Sequence, residues 1–142
     1  MEVRFTVLGI PKAKGRPRVS MVNGFARAYT PKDTIMYENL VRYAYQSDVG
    51  TKMTGCIKAD IKAYFPIPKS VSKKKRQEME TEKTYYDKKP DSDNLGKTIL
   101  DSINGIAYDD DKQIIDMRVR KYYGTPRVEV VLTEQEDTDG EG

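Results

Sequence analysis

The 142-residue chain contains no histidine and no tryptophan, and its one cysteine is Cys56. Without histidine, the sequence lacks the side chain that most often serves as general base or transition-metal ligand near neutral pH. This excludes serine-histidine and cysteine-histidine hydrolases. A lone cysteine excludes an intrachain disulfide and a cysteine-based metal cage. Hydrolytic chemistry in this chain would need carboxylates, lysine or a hard metal ion.

Long apolar runs are also missing from the sequence. No stretch approaches the roughly 20 apolar residues that a membrane span needs, and the first residues do not form the apolar run of a signal peptide. We therefore expect a cytoplasmic protein with no membrane partner. The apolar residues recur in periodic segments, which favours a folded chain, and the length fits a single domain.

Charge is unevenly distributed along the chain. The formal net charge is +3, but residues 133–142 carry five acidic residues and no base, so residues 1–132 carry +8. We predict a domain at residues 1–134 followed by a disordered acidic tail at 135–142. A basic body of this kind suits a polyanionic partner.

Alternation of apolar and polar residues predicts four strands, at residues 3–8, 57–65, 114–122 and 127–132. Within residues 19–29, the dipeptide Asn23-Gly24 predicts the tight turn of a further hairpin.

Three segments predict helices. Thr30 as a hydroxyl cap and Pro31 as the first helical residue predict a helix that continues to about residue 47. Its apolar face is predicted to contain Ile35, Leu40, Val41, Ala44 and Tyr45. A short charged helix is predicted over 70–82, and a third helix after Asp93, with Leu95, Ile99, Ser102 and Ile103 facing inward. This order of elements predicts an α+β single domain, with a mixed or antiparallel sheet covered by helices.

Aspartates concentrate in two segments, Asp91-Ser92-Asp93 before the third helix and Asp109-Asp110-Asp111 before the strand at 114–122. In an extended segment, residues i and i+2 project to the same side, so Asp91 and Asp93 are expected to point together. If the two segments meet, three or four carboxylates converge and need a divalent cation to offset their repulsion. Lys97, one helical turn after Asp93, is placed to stabilise a phosphate or orient a water. The pattern indicates metal-dependent phosphodiester hydrolysis.

A purely structural role for these residues is also open. Asp93 would then cap the helix, Lys97 would pair with Asp93 or Asp101, and Asp109 to Asp111 would form a polar turn. An EF-hand is excluded, because the fifth loop position counted from Asp91 is Leu95 and the twelfth is Ser102, where a bidentate glutamate is required.

The segment from residue 11 to residue 29 carries five bases and no acid. These residues are Lys12, Lys14, Arg16, Arg18 and Arg27. On their own they are equally compatible with a solvated loop, since few aromatic residues accompany them. Beside an acidic cluster that acts on a phosphodiester, they become the candidate DNA-binding surface.

Four motifs together are similar to those of the RusA-type crossover junction endodeoxyribonucleases, the family of RusA Holliday junction resolvases. The motifs are Lys-Gly-Arg-Pro-Arg at 14–18, Tyr-Thr-Pro-Lys at 29–32, Asp-Ser-Asp-Asn-Leu-Gly-Lys at 91–97 and Asp-Asp-Lys-Gln-Ile at 110–114. The resemblance covers most of residues 1–134, and its specific part is the DxDNLxK motif followed, after a helix, by DDxQ.

The resemblance implies a Mg²⁺-dependent site, with Mn²⁺ as a possible substitute, in which Asp91, Asp93 and Asp111 are metal ligands and Lys97 assists. Asp110 matches the other member of the acidic pair, and because Asp109 precedes that pair, the principal ligand stays open between Asp110 and Asp111. The resemblance also implies a homodimer that nicks opposing strands of a four-way DNA junction symmetrically. Two sites related by a two-fold axis suit that substrate.

Two other functions remain to be weighed. One is a catalytically silent, dimeric protein that binds branched DNA, in which the acids only position helices. The other is a nucleotidyltransferase that uses the DxD pair, although the sequence has no glycine-rich phosphate loop of the Walker type. Metal-dependent nicking of a synthetic junction separates the nuclease from the silent binder.

Overall fold

The computed structural model describes residues 1–15, 18–29 and 31–135. The strands are β1 (Glu2–Leu8), β2 (Arg18–Val22), β3 (Phe25–Tyr29), β4 (Cys56–Phe65), β5 (Ile114–Tyr123) and β6 (Arg127–Gln135). The helices are α1 (Lys32–Asp48), α2 (Lys73–Glu80) and α3 (Ser92–Ser102), and a 3₁₀ turn lies at Asp111–Gln113. The four predicted strands, the hairpin and the three predicted helices are confirmed, although α2 is shorter than the sequence suggested. None of the helices in the described part of the chain is long and apolar enough to cross a membrane.

The main sheet has the strand order β1-β6-β4-β5. Strand β6 runs antiparallel to β1 and β4, whereas β5 runs parallel to β4, so the sheet is mixed. Strands β5 and β6 follow each other in the chain without pairing, because β4 lies between them. Their short connection crosses the end of β4, where the Gly124 amide donates to the Phe65 carbonyl at 2.9 Å.

Strands β2 and β3 form a separate two-stranded sheet. Asn23 and Gly24 at its turn both have positive φ, 52° and 81°. Such a turn matches the right-handed twist of paired strands, and it is the reason that asparagine followed by glycine favours a hairpin.

Helix α1 begins one residue later than predicted. Pro31 has extended backbone angles and caps the helix, and its carbonyl accepts from the amides of Thr34 at 3.1 Å and Ile35 at 3.3 Å. Pro31 is therefore the cap and not the first helical residue. The predicted capping role of Thr30 lies outside the described residues.

The buried stripe of α1 was only partly predicted. Val41, Ala44 and Tyr45 are buried as expected, but Ile35 and Leu40 are exposed, and Thr34 and Tyr37 take the inward positions. The stripe 34, 37, 41 and 44–45 follows the helical period, and positions 35 and 40 flank it on either side.

Helices α1 and α3 cover one face of the main sheet and pack against each other. Strand β4 sends alternate side chains into this layer, and all of them are buried: Ile57, Ala59, Ile61, Ala63 and Phe65. The next residues along β4, Lys58, Asp60 and Lys62, project to the opposite face, which is charged. The predicted helical cover is thus found on one face of the sheet.

Gly96 allows α3 to lie close to the edge strand β5. A Cβ atom at this position would stand 2.6 Å from Met117 Sδ and 2.9 Å from Val119 Cγ2. Both distances are shorter than van der Waals contact, so the absence of a side chain at residue 96 sets the depth at which the helix sits on the sheet.

Candidate functional site

The DxD motif lies at the beginning of α3. Asp91 has extended backbone angles and is the N-terminal cap of the helix, and its carbonyl accepts from the Leu95 amide at 3.0 Å. Asp93 lies inside the first turn. The prediction that the helix begins after Asp93, with both aspartates in an extended segment, is therefore wrong for Asp93. Only Asp91 has extended geometry.

The side chains of Asp91, Asp93 and Lys97 are exposed. Asp91 makes no side-chain capping bond, although a capping aspartate commonly does. In the described part of the chain, none of the three takes part in an ion pair, although Asp93 and Lys97 have the spacing for one. No side chain that the structure describes therefore neutralises these three charges.

The basic loop at residues 12–15 docks onto α3. The Lys14 amide donates to Thr98 Oγ1 at 2.7 Å, and Asn94 Nδ2 donates to the Lys14 carbonyl at 3.3 Å. The adjacent Gly15 amide donates to Thr34 Oγ1 at 3.1 Å, so α1 holds the same loop. These bonds place the predicted DNA-binding segment beside the predicted metal-binding helix.

A groove of about 550 Å³ lies where this loop meets the start of α3. Its lining includes Lys12, Lys14, Lys89, Asp91 and Asn94. Three lysines and one carboxylate therefore line one groove. Lys89 was not among the predicted DNA-binding residues, although it lies two positions before Asp91 in a segment with two adjacent lysines.

The ammonium group of Lys14 lies between two carboxylates, 3.7 Å from Glu38 Oε2 and 3.7 Å from Asp101 Oδ2. Asp101 was not predicted to belong to the site. The sequence pattern that could have identified Asp101 is its helical spacing from Asn94 and Thr98. Steps of four and three residues place these three side chains on one side of α3. All three contact Lys14.

The other two predicted bases in the hairpin, Arg18 and Arg27, belong to β2 and β3. The backbone of Arg27 pairs with Ser20, and that of Arg18 pairs with Tyr29. Arg16 lies outside the described residues. The structure thus places Lys12 and Lys14 at the groove and describes only the backbone of Arg18 and Arg27.

The second acidic segment is tied into the fold. Asp110 caps the 3₁₀ turn, and its Oδ1 accepts from the Lys112 amide at 3.0 Å. Gln113 Oε1 accepts from the amides of Asp109 and Asp110 at 3.0 and 3.1 Å, which completes a capping box. The Asp109 carboxylate pairs with Lys52 Nζ at 2.7 Å. Asp109 and Asp110 therefore have structural partners.

Asp111 is exposed and lies close to two other carboxyl groups. Its pKa is raised, first by the hydrogen bond that it shares with the Asp110 side chain, then by burial and by the negative charge of Asp101. The pKa of Asp110 is lowered, first by the Lys112 amide and then by the same bond to Asp111. Crowded carboxylates of this kind are a common feature of sites that hold a divalent cation.

The donors present are of the type that Mg²⁺ prefers, since Asp91, Asp93 and Asp111 supply exposed carboxylate oxygens. They belong to two groups, one at the beginning of α3 and one beside Asp101. Asp101 is eight residues after Asp93, about 12 Å along a helix axis. Across residues 1–15, 18–29 and 31–135, no group of three or more His, Cys, Asp or Glu side chains is arranged to hold a metal ion.

The chain is similar to a known protein and to a known protein family. The chain is 40% identical over 136 residues to the uncharacterized protein YqaN of Bacillus subtilis strain 168, a match that covers 93% of this chain and 96% of that protein. The family model for endodeoxyribonuclease RusA matches residues 9–133, which contain the basic loop, the DxD helix and the acidic turn. The chain therefore belongs to the RusA endodeoxyribonuclease family.

Proposed function

We propose that this protein is a Mg²⁺-dependent, structure-selective endonuclease that resolves four-way DNA junctions by paired symmetric nicks. Family membership supports the nuclease activity. The observation that carries the finer proposal is the groove in which Lys12, Lys14 and Lys89 lie beside the carboxylate of Asp91, which has no ion-pair partner among the described residues. A DNA backbone held by those lysines would bring a phosphodiester to the start of α3.

In this proposal Asp91 and Asp93 at the start of α3, and Asp111 beside Asp101, supply the carboxylate ligands for divalent cations. When bound, Mg²⁺ or Mn²⁺ would activate the attacking water and offset the charge of the phosphodiester. Asp110 supports the site by capping the turn that carries Asp111. A ligand role for Asp110 itself is the less favoured assignment, because its carboxylate already accepts from the Lys112 amide.

Lys97 is proposed to act on the phosphate. Its ammonium is exposed and has no ion-pair partner in the described part of the chain, on the turn that follows Asp93. A cation there would stabilise the negative charge that develops on the phosphate oxygens. Lys14 also lines the groove, and its partly exposed ammonium lies 3.7 Å from both Glu38 Oε2 and Asp101 Oδ2.

Symmetric nicking of a junction needs two sites, and we propose a homodimer for that reason. A two-fold axis would present two α3 helices to opposing strands of the branch. A cytoplasmic location stays a prediction of the sequence.

The test is strand cleavage of three labelled substrates, a four-way junction, a Y-fork and a plain duplex of the same length, with and without Mg²⁺. We expect paired nicks in the junction only when Mg²⁺ is present, and little cutting of the duplex. Asp93→Asn is the inactive control, and Asp109→Asn is the matched control because Asp109 already pairs with Lys52. Equal cleavage of duplex and junction would contradict the structure selectivity.

A silent protein that binds branched DNA is the second candidate. The observation that favours it is that the acids lie in two separate groups. Among the described residues, no group of three or more His, Cys, Asp or Glu side chains is arranged to hold a metal ion. Such a protein would bind the junction with the same preference but leave every strand intact in Mg²⁺ and in Mn²⁺.

A further inference from the structure

Three tyrosine rings form a row across the face of the main sheet that lies opposite α1 and α3. Tyr64 on β4 stacks on Tyr122 on β5, with ring centroids 5.7 Å apart and planes 30° apart. Tyr85 continues the row and stacks on Tyr122 at 5.4 Å and 23°. The row follows the pairing of the backbone, since Tyr64 is in register with Tyr122, and Tyr85 forms a bridge to Tyr122.

The two ends of this tyrosine row (Tyr64, Tyr122 and Tyr85) differ. At one end, the guanidinium of Arg127 lies 3.8 Å from the centre of the Tyr64 ring and covers it. Tyr64 and Tyr122 are 4% and 6% exposed, whereas Tyr85 at the other end is 64% exposed. One face of the Tyr85 ring rests on Tyr122, and an exposure this large leaves the other face open to a further planar group.

The backbone that carries Tyr85 is anchored. The next residue, Tyr86, points to the opposite side, where its ring stacks on Phe65 at 3.8 Å against the core. The Tyr86 amide donates to the Lys121 carbonyl at 3.0 Å. Lys121 Nζ in turn donates to the carbonyls of Lys88 at 2.7 Å and Pro90 at 2.8 Å. The position of Tyr85 is thus fixed relative to Asp91, which directly follows Pro90.

The surroundings of Tyr85 are basic. Within residues 83–89, Lys83, Lys88 and Lys89 are exposed against one acid, Asp87, while the adjacent Glu82 accepts a hydrogen bond from the Tyr64 hydroxyl. An exposed aromatic ring with interleaved lysines is the combination that binds single-stranded nucleic acid, because the lysines hold phosphates and the ring stacks on a base of any sequence. A protein surface as partner would not require this excess of positive charge.

We propose that Tyr85 is a stacking platform for an unpaired nucleobase of the branched DNA, and that it lets the protein distinguish a branch from a duplex. This inference rests on the proposed function. Bases in a duplex are stacked on both sides, whereas a base displaced at a branch has an open face that Tyr85 can cover. The tyrosine row and α3 lie on opposite faces of the sheet. The DNA strand would therefore pass around the edge of the sheet at β5 on its way from Asp91 to Tyr85.

The experiment uses a junction with 5-iododeoxyuridine at single positions near the branch, bound without divalent cation so that no strand is cut. Light links this base preferentially to an aromatic ring that stacks on it, and peptide mapping identifies the ring. We expect the link at Tyr85. Affinity is measured in parallel by anisotropy for junction and duplex, with Tyr85→Phe, which keeps the ring, and Tyr85→Leu, which removes it.

Tyr85→Leu should weaken junction binding about tenfold, within the range found for loss of one base stack, and leave duplex binding unchanged. Tyr85→Phe should bind and crosslink like the unmodified chain. Tyr43→Leu on α1 is the matched control, because Tyr43 is 69% exposed and has no stacking partner among the described aromatic rings.

The possible failures are distinguishable. If the unmodified chain prefers junctions but crosslinks elsewhere, or if Tyr85→Leu binds as well as Tyr43→Leu, the platform is overturned while the proposed function stands. If the unmodified chain shows no preference for branched DNA, both are overturned. If Tyr85→Leu changes the sedimentation of the free protein and not its DNA affinity, the ring belongs to a protein interface and the platform is overturned.

Discussion

The two acidic segments of this chain have similar sequences and different roles in the structure. At the beginning of α3, the carboxylates of Asp91 and Asp93 make no ion pair in the described part of the chain. Asp91 is the N-terminal cap, but its side chain makes no capping hydrogen bond. In the turn before β5, Asp109 pairs with Lys52 and Asp110 caps the 3₁₀ turn. Asp111 in that segment pairs with no base among the described residues and is crowded by other acids.

This difference separates acids that support the fold from acids that are free for a ligand. Carboxylates that no described base pairs with, beside a basic loop, offer the oxygen ligands that a divalent cation prefers. It follows that neutral substitutions should impair chemistry at Asp91, Asp93 and Asp111, whereas loss of the side-chain oxygen at Asp110 should reduce stability.

The largest effect is expected for Asp91→Asn, Asp93→Asn and Asp111→Asn. Each removes one charge and one strong cation ligand but keeps the side-chain size, so Mg²⁺-dependent cleavage of a junction should fall by more than about a hundredfold. Binding to the junction without metal should be kept or improved, because repulsion of the phosphates decreases. Single-turnover cleavage and anisotropy measure the two properties. Folded variants that still nick at the rate of the unmodified chain would refute the assigned ligands.

The next effect concerns the basic loop that docks on α3. Neutralising Lys14, Arg16 and Arg18 together should weaken junction binding and reduce the slope of log affinity against log salt by up to about 3, because each phosphate contact releases counterions. The control is Lys73, Lys74 and Lys75 neutralised together on α2, away from the groove. An unchanged slope in the first variant would show that the loop does not contact DNA.

A moderate effect on stability is expected for Gly96→Ala, which acts on the helix carrying the free acids. The new Cβ would stand 2.9 Å from Val119 Cγ2, and a β-branched side chain has little freedom to move away. Overpacking should exceed the gain in helix propensity and lower the unfolding free energy by about 1 kcal/mol. Urea denaturation measures it. The cost should shrink in a Val119→Ala background, and an equal cost there would indicate a different cause.

A smaller loss of stability is expected for Asp110→Ala, which removes the cap of the 3₁₀ turn. Asp110→Asn should retain the melting temperature, because an asparagine oxygen can still accept from the Lys112 amide. Comparing Asp110→Asn with Asp111→Asn also shows which of the two residues is the principal ligand. If Asp110→Asn is stable and cleaves DNA while Asp111→Asn does not, the role of Asp110 is structural. The reverse result would make Asp110 the ligand.

The local structure was largely predictable because it depends on short-range patterns. The alternation at 57–65 and the Asn23-Gly24 turn both identify their elements, and both are found. The order of the sheet was not predictable, since β6 inserts between β1 and β4 through contacts that lie far apart in the chain. Ile35 and Leu40 were expected to be buried because their residue type was apolar, but the rotation of α1 on the sheet decided which positions face inward.

The site was predictable in its chemistry and less so in its geometry. The DxD motif, Lys97 and the acidic triplet are visible in the sequence. Because the chain has no histidine, hydrolytic chemistry would depend on such carboxylates and lysines. The contacts of Asn94 and Thr98 with Lys14 depend on the docking of a loop 80 or more residues away, so no local pattern reveals them. Asp101 was considered only as a partner of Lys97, whereas it faces Lys14. The acidic tail stays a prediction, although Gln135, its first residue, is the last of β6.

The most direct test of the difference between the two acidic segments is a titration with Mn²⁺, in which loss of the free-ion electron paramagnetic resonance signal counts bound ions. The protein is titrated in complex with a four-way junction at a pH that suppresses cleavage. We predict that Asp93→Asn loses tight binding of Mn²⁺, whereas Asp109→Asn binds as many ions, and as tightly, as the unmodified chain. Retention of the tight site in Asp93→Asn, or its loss in Asp109→Asn, would contradict the assignment of the free acids at α3 as the metal-binding group.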